Sequence, residues 1–468
     1  MRRRFLIGSF VAVLLTACGA ATPTTTPARA TMAPPTAVPT AAPTQSAAAP
    51  TSTAAAARTG DRLFVRDGTS SPDDRLSVID AGSGTRVQNL PLGVPSPDWS
   101  TLYVTERGIE QTTVRALNPQ TGQALRETTI MGRFTLPDGG SAGAPRGLSP
   151  DGRWLALDSY PAYAVNAANT IDTKSHLAVI DTAFAQPPKY VDLDGNFSFD
   201  AVSNSGASLY LIETVPHEST ATPGLGYKVR LYDLNTATLQ PGVVVDKTAI
   251  AETMSGTRQS SMISPDGQWV YSLYLNQAKG PFIHMLNLND RYAICVFLPT
   301  TGKEDPQKQL LWSLAQTRDG TRLYAVNGAL GIVSEVDPNQ LQVLRTVTLP
   351  MAAASTPGIV ARVGDWLMPS VSAKGGVLSG GAALTPDGTI LFMIAEHGLF
   401  AVNTRDLSLR SRYLSDMPLS SINLSPDGVH LYAVSEQENK LFSLDAATGG
   451  AIKEIAGATH PWGVLGVG

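Results

Sequence analysis

The chain has 468 residues, 43% of them hydrophobic and 16% charged, with a formal net charge of −4. Its globular part holds no Lys/Arg cluster, so it lacks the phosphate-tracking surface that nucleic-acid binding requires. Only two cysteines occur, Cys18 and Cys295, which excludes a disulfide-stapled scaffold.

In chain order, Arg2, Arg3 and Arg4 precede an apolar run from Phe5 to Leu15. That run falls well short of the ~20 apolar residues that span a bilayer, and it fits the h-region of a signal peptide. It ends at Leu15-Thr16-Ala17-Cys18, which resembles the lipobox of bacterial lipoproteins. The resemblance implies diacylglyceryl on the Cys18 thiol, cleavage after Ala17, and attachment to a membrane through that lipid. The alternative is a secretory signal with an incidental cysteine. Arg2-Arg3-Arg4-Phe5-Leu6 also looks like a twin-arginine signal, with a plain basic leader as the simpler reading. Loss of residues 1–17 removes three arginines and takes the net charge to about −7.

Residues 18–58 hold Cys18 and a linker of Ala, Thr, Pro and Ser. Such a stretch buries too little apolar surface to offset the entropy of ordering it, so disorder is expected. Its prolines favour extended backbone at about 3 Å per residue, a reach on the order of 100 Å. The expected location is extracytoplasmic, lipid-anchored on the outer side of the cytoplasmic membrane or elsewhere in the envelope.

The remaining region, 59–468, exceeds the size of a usual single core, and it repeats. Ser149-Pro150-Asp151-Gly152, Ser264-Pro265-Asp266-Gly267, Thr385-Pro386-Asp387-Gly388 and Ser425-Pro426-Asp427-Gly428 are the best copies of one turn. Pro presets φ, Asp bonds nearby backbone, and Gly takes positive φ. Asp98, Asn204 and Asp319 mark worn copies. A β-branched or aromatic run follows each, as in Leu323-Tyr324-Ala325-Val326 and Leu431-Tyr432-Ala433-Val434. A second set of runs ends at Asp80, Asn118, Asp181, Asp233, Asn287, Asp337, Asn403 and Asp445. Taken from Gly147 onward, one unit reads as strands a, b, c and d of an antiparallel sheet. Strand-c runs such as Leu76-Ser77-Val78-Ile79 alternate apolar and other residues.

The expected fold is therefore an all-β propeller of four-stranded antiparallel blades. Asp61-Arg62-Leu63-Phe64-Val65 has no turn signal before it and reads as a strand b. Pro461 to Val467 reads as a strand a with no b after it. Pairing of the two closes the ring at eight blades, with seven as the alternative. Leu102-Tyr103-Val104-Thr105, with the Asp/Asn-x-x-x-Gly pieces, resembles the YVTN β-propeller repeat family, and the Ser-Pro-Asp-Gly turns are shared with WD40-like repeats. The resemblance implies architecture and leaves activity open.

In such a blade the a–b and c–d turns share one face, and the b–c and d–a connections share the other. The long connections, 131–145, 159–175, 214–227, 246–257, 299–309 and 350–380, are all read as the second kind. Insertions on one face of a repeat protein mark its binding face. Candidate binding residues there are His217 and Glu218, Arg362, Asp365 and Trp366, and Glu396 and His397. Each His–Glu pair has the composition of a base and its orienting carboxylate, and Trp366 could stack on a sugar or aromatic ring. No metal-ligand spacing, nucleophile elbow or phosphate loop appears, so no catalytic residue, metal or cofactor is expected. The expected function is a binding or scaffold module for a protein, glycan or small molecule. The alternative is an envelope enzyme, lactonase-like or dehydrogenase-like, with its site at the channel mouth.

Overall fold

The computed structural model describes residues 60–68, 74–137, 146–159, 174–216, 225–244, 254, 256–276, 279–302, 304–350 and 381–468. Cys18 and the linker lie outside the described residues. From Gly60 onward the chain forms eight four-stranded antiparallel sheets, an eight-bladed β-propeller. Each blade runs a-b-c-d outward from the axis. Blade 5 shows the pattern: Thr257–Ile263, Trp269–Asn276, Gly280–Asn287 and Tyr292–Phe297. The one helix among the described residues is a 3-10 turn, Lys308–Leu311, ahead of blade 6.

The ring closes as its ends require. Strand a of blade 1 is Pro461–Val467, and it pairs antiparallel with strand b, Arg62–Asp67. Leu63 faces Val467 and Val65 faces Val464 across the seam. Pairing removes what would otherwise be an exposed apolar sheet edge. Strands c and d of that blade, Arg75–Asp80 and Thr85–Pro91, complete it from the N-terminal side.

Eight apolar clusters fill the eight junctions between consecutive blades, so the core is a set of radial layers. Side chains alternate across a strand, and here both sides are covered. Leu63 and Val65 pack toward blade 8 while Phe64 packs toward blade 2. Middle strands are therefore buried on both faces. In the strand c of blade 1, Ser77 is as buried as Val78 and Ile79. Strand d of that blade, Thr85–Pro91, alternates exposed and half-buried residues up to Leu90, while alternation in strand c is kept in blade 2, over Gln111–Leu117.

The a–b turn repeats with common chemistry. Ser149, Ser264 and Ser425 each donate from Oγ to the Asp two residues on. That Asp accepts the N–H two residues further, and the serine Oγ accepts the N–H five residues on. In blade 4 the Asp position is Ser205, which bonds Ser203, so Asn204 occupies the Pro position and is not the Asp equivalent.

Two insertions sit differently from the sequence reading. In blade 3, strand a is Phe134–Thr135, paired with Ser159 and Asp158, and Leu148 pairs with Leu155. Residues 138–145 thus interrupt an innermost strand, and 131–145 is not a d–a connection. In blade 4, Thr238–Leu239 pairs with strand c, and Met254 still bridges Tyr227. Residues 245–253 thus fall within the course of an outer strand and not after it.

Candidate functional site

Strand polarity places the ends of 160–173 and 217–224, both b–c connections, on one face. The ends of the d–a connection 351–380 lie on the same face. The opposite face carries the a–b and c–d turns, of which the longest c–d examples are 182–188 and 446–452. His217, Glu218, Arg362, Asp365 and Trp366 lie outside the described residues. Glu396 and His397 are exposed on the b–c turn of blade 7.

Around that turn the face is tied together. Glu396 accepts Lys308 Nζ at 2.6 Å, so its carboxylate engages a lysine from the connection between blades 5 and 6. Among the described residues no hydrogen bond joins Glu396 to His397. Asn327 donates to the Lys308 carbonyl at 2.8 Å and accepts the Leu330 N–H. Gly328 pairs with Ala395 in a parallel bridge, where a Cβ would come within 1.8 Å of the Ile394 carbonyl oxygen. Only glycine allows the two turns to meet so closely. Arg412 bonds the Pro350 carbonyl at 2.6 Å, fixing the chain where the longest connection begins.

Three further charged residues lie on or near this face. Arg258, near the start of strand a of blade 5, is buried, and Asp200 lies buried in strand a of blade 4. Asp200 and Gln259 are extra residues at β-bulges, which re-aim a strand's side chains. Burial pushes the Tyr274 hydroxyl well above its usual range, and the nearby Asp200 charge adds to that while Arg258 opposes it. Glu436, on the b–c turn of blade 8, has its carboxyl raised by burial, partly opposed by Arg66.

The channel itself is a cavity of about 440 Å³ walled by innermost strands of blades 5, 6, 7, 8 and 1. Met262, Leu314, Ile422, Leu424, Val464 and Leu465 border it, and Leu314, Ile422 and Val464 are themselves buried in the blade junctions. The polar side chains in the wall lace neighbouring strands together. Ser260 accepts the Leu314 N–H at 3.3 Å, Gln316 donates to the Ile263 carbonyl at 2.5 Å, and Asn423 donates to the Val464 carbonyl at 3.3 Å. Among the described residues Arg318 is the one charged residue in the lining. It stands in Thr317-Arg318-Asp319-Gly320, at the position that is Pro in five of the other turns. Asn204 is the other departure at that position, and Arg318 is the charged one, which a motif search for catalytic constellations passes over. Among the described residues no three His, Cys, Asp or Glu side chains converge as a metal site would require.

No protein-family model matches the chain, and no curated protein matches it. Among solved structures, apo AztD from Citrobacter koseri is similar at 12% identity, covering 87% of this chain and 97% of that one, with a TM-score of 0.48. The dihydro-heme d1 dehydrogenase NirN in complex with DHE is similar at 12% identity over 88% of this chain and 75% of that one, TM-score 0.49. The periplasmic gluconolactonase PpgL of Pseudomonas aeruginosa is 18% identical over 77% of this chain and 97% of that one, TM-score 0.39. The fold assignment rests on the strand pairing, and these likenesses add nothing about activity.

Proposed function

We propose that this protein is a lipid-anchored, extracytoplasmic binding module, a divergent YVTN-type or WD40-like propeller that engages its partner through the face bearing the b–c and d–a connections. One observation carries the reading. The extended b–c connections in blades 3 and 4 and the d–a connection 351–380 leave and re-enter on that face, while the opposite face has short turns throughout. Beside the longest of them the Lys308–Glu396 pair and the Gly328–Ala395 bridge make a braced platform. A rigid scaffold presenting variable loops is the usual arrangement of a recognition surface. Cys18 carries the lipid, and the linker to residue 58 sets the reach. The envelope-enzyme alternative has Glu436 in its favour, a carboxyl held toward its protonated form on the same face.

The test is capture of partners from envelope extract with the purified protein as bait. A variant carrying Lys308→Glu and Glu396→Lys together keeps the pair and reverses the surface charges. The expected result is a reproducible partner whose yield falls with the double variant. Absence of any partner, together with turnover of a defined substrate that is lost in Glu436→Gln, would reject the binding reading for the enzyme one.

A further inference from the structure

The outer strand of each blade is a sheet edge, and an open edge invites pairing with another chain. Among the described residues, seven of the eight edges are guarded. Arg86, Arg126, Lys189, Arg345, Arg410 and Lys453 put charge on six of them, and the outer strand of blade 4, Thr238–Leu239, is two residues long. The outer strands of blades 1, 2, 6 and 7 are also bulged where they meet strand c. Blade 5 has none of these devices. Its outer strand, Tyr292–Phe297, reads Tyr-Ala-Ile-Cys-Val-Phe, without charge or proline, and its pairing with strand c runs unbroken from end to end. Phe297, the last residue of that strand, is half exposed.

The Leu298 N–H donates to the Pro281 carbonyl at 3.0 Å, which sets the phase of the ladder. Ile294 and Val296 therefore turn their backbone groups toward strand c, while Ala293, Cys295 and Phe297 turn theirs outward. Among the described residues no backbone hydrogen bond reaches Ala293 or Phe297 from the open side. We propose that two copies of this protein pair antiparallel along Tyr292–Phe297, about a two-fold axis at Cys295. The strand complements itself in that register. Ala293 of each copy meets Phe297 of the other, small against large, and no like charges come opposite one another. The two Cys295 residues face each other with Cα atoms about 5.5 Å apart, within disulfide reach. Cys295 is the one cysteine of region 59–468, so its thiol has no partner cysteine within that region. A two-fold contact of this kind closes at the dimer. Pairing at the rim leaves both faces of each propeller uncovered, so this interface is separate from the partner face and does not depend on it.

The test uses the full-length protein bearing Cys18→Ser, in which Cys295 is the sole thiol. Sedimentation velocity at about 100 μM is expected to show a dimer. Diamide, which accepts two electrons and two protons as two Cys295 thiols join in one disulfide, is expected to trap that dimer, and dithiothreitol to release it. Phe297→Pro removes only an outward N–H and spares the ladder to strand c, and Phe297→Lys puts a charge on the edge. Each is expected to slow trapping at least about tenfold while keeping a cooperative melt. Val87→Lys, on the outer strand of blade 1, is expected to trap at the parent rate. A monomer at that concentration, species larger than a dimer, a dimer that diamide fails to trap, or parent-rate trapping in both Phe297 variants would each overturn the pairing.

Discussion

Asp67 concentrates more of the ring's closure than any other single described side chain. It is fully buried, and its carboxylate accepts the N–H groups of Thr459 and His460, the Ser77 hydroxyl and the Arg86 guanidinium. Burial alone would raise its pKa, but the His460 and Ser77 bonds and the Arg86 charge together hold it below the usual value. Its charged form therefore stabilises the folded state at all pH above the unfolded value of about 3.9, and that stability is lost as pH falls through the lower folded value. Asp67→Asn leaves Arg86 with no anionic partner and is expected to cost about 3 kcal/mol at pH 7. Urea midpoints at pH 7, 4 and 3 check this: the gap to the parent should hold to about pH 4 and narrow below it. A gap of the same size at pH 3 would place the effect in packing. Trp99 supports the same seam from blade 2, stacking on Phe64 at 4.4 Å and covering Gly466. It stands where other turns have glycine, at φ 56°, a strain offset by that contact.

At the scale of the element, the repeated turn explains why so much of the fold could be read from sequence. Ser, Pro, Asp and Gly each do one local job, and the hydrogen bonds recur from blade to blade. The glycine has a second role that local chemistry does not reveal. At Gly428, φ is +74° and a Cβ would stand 2.3 Å from Pro386 Cδ of the neighbouring turn. Gly302 has nearly the same φ, +71°, with nothing within 4 Å. Gly428→Ala should therefore cost more than Gly302→Ala by at least about 1 kcal/mol, since both bear the backbone strain and only one bears the clash. Denaturant midpoints of the two variants decide the matter, and equal losses would show that the turns do not nest. The misplaced insertions have a related cause. Residues 138–145 and 245–253 interrupt strands whose halves pair on either side, and a linear reading takes any long polar interval as a link between strands.

For the whole molecule, stability is distributed over eight junction cores, and the seam is the place where chain ends replace a turn. The backbone bonds of Arg62 with Gly468 and the Tyr432 hydroxyl on Asp61 at 2.6 Å add to Asp67 there. Removal of Pro461–Gly468 would bare the edge of Arg62–Asp67 and expose Leu63, Val65 and Val434. An open apolar edge invites intermolecular pairing. Size-exclusion profiles should shift to aggregate and the cooperative melt should broaden. A monodisperse truncated protein with the parent's midpoint would mean that the seam contributes little.

Architecture and closure were determined by sequence because their signals are local: turn residues at fixed offsets, β-branched runs between them, and a strand b without its a at one end matched by a strand a without its b at the other. The same signals carried the expectation that long connections gather on one face. The tertiary structure alone decided which residues meet. Glu396 pairs with Lys308, 88 positions away, and not with its neighbour His397. Arg318 faces the axis because of its rank in a ring of turns, and Asp67 meets Thr459 and His460 only when the ends of the chain come together. Side-chain partners in a ring are set by the distance across it, and separation along the chain carries no record of that distance.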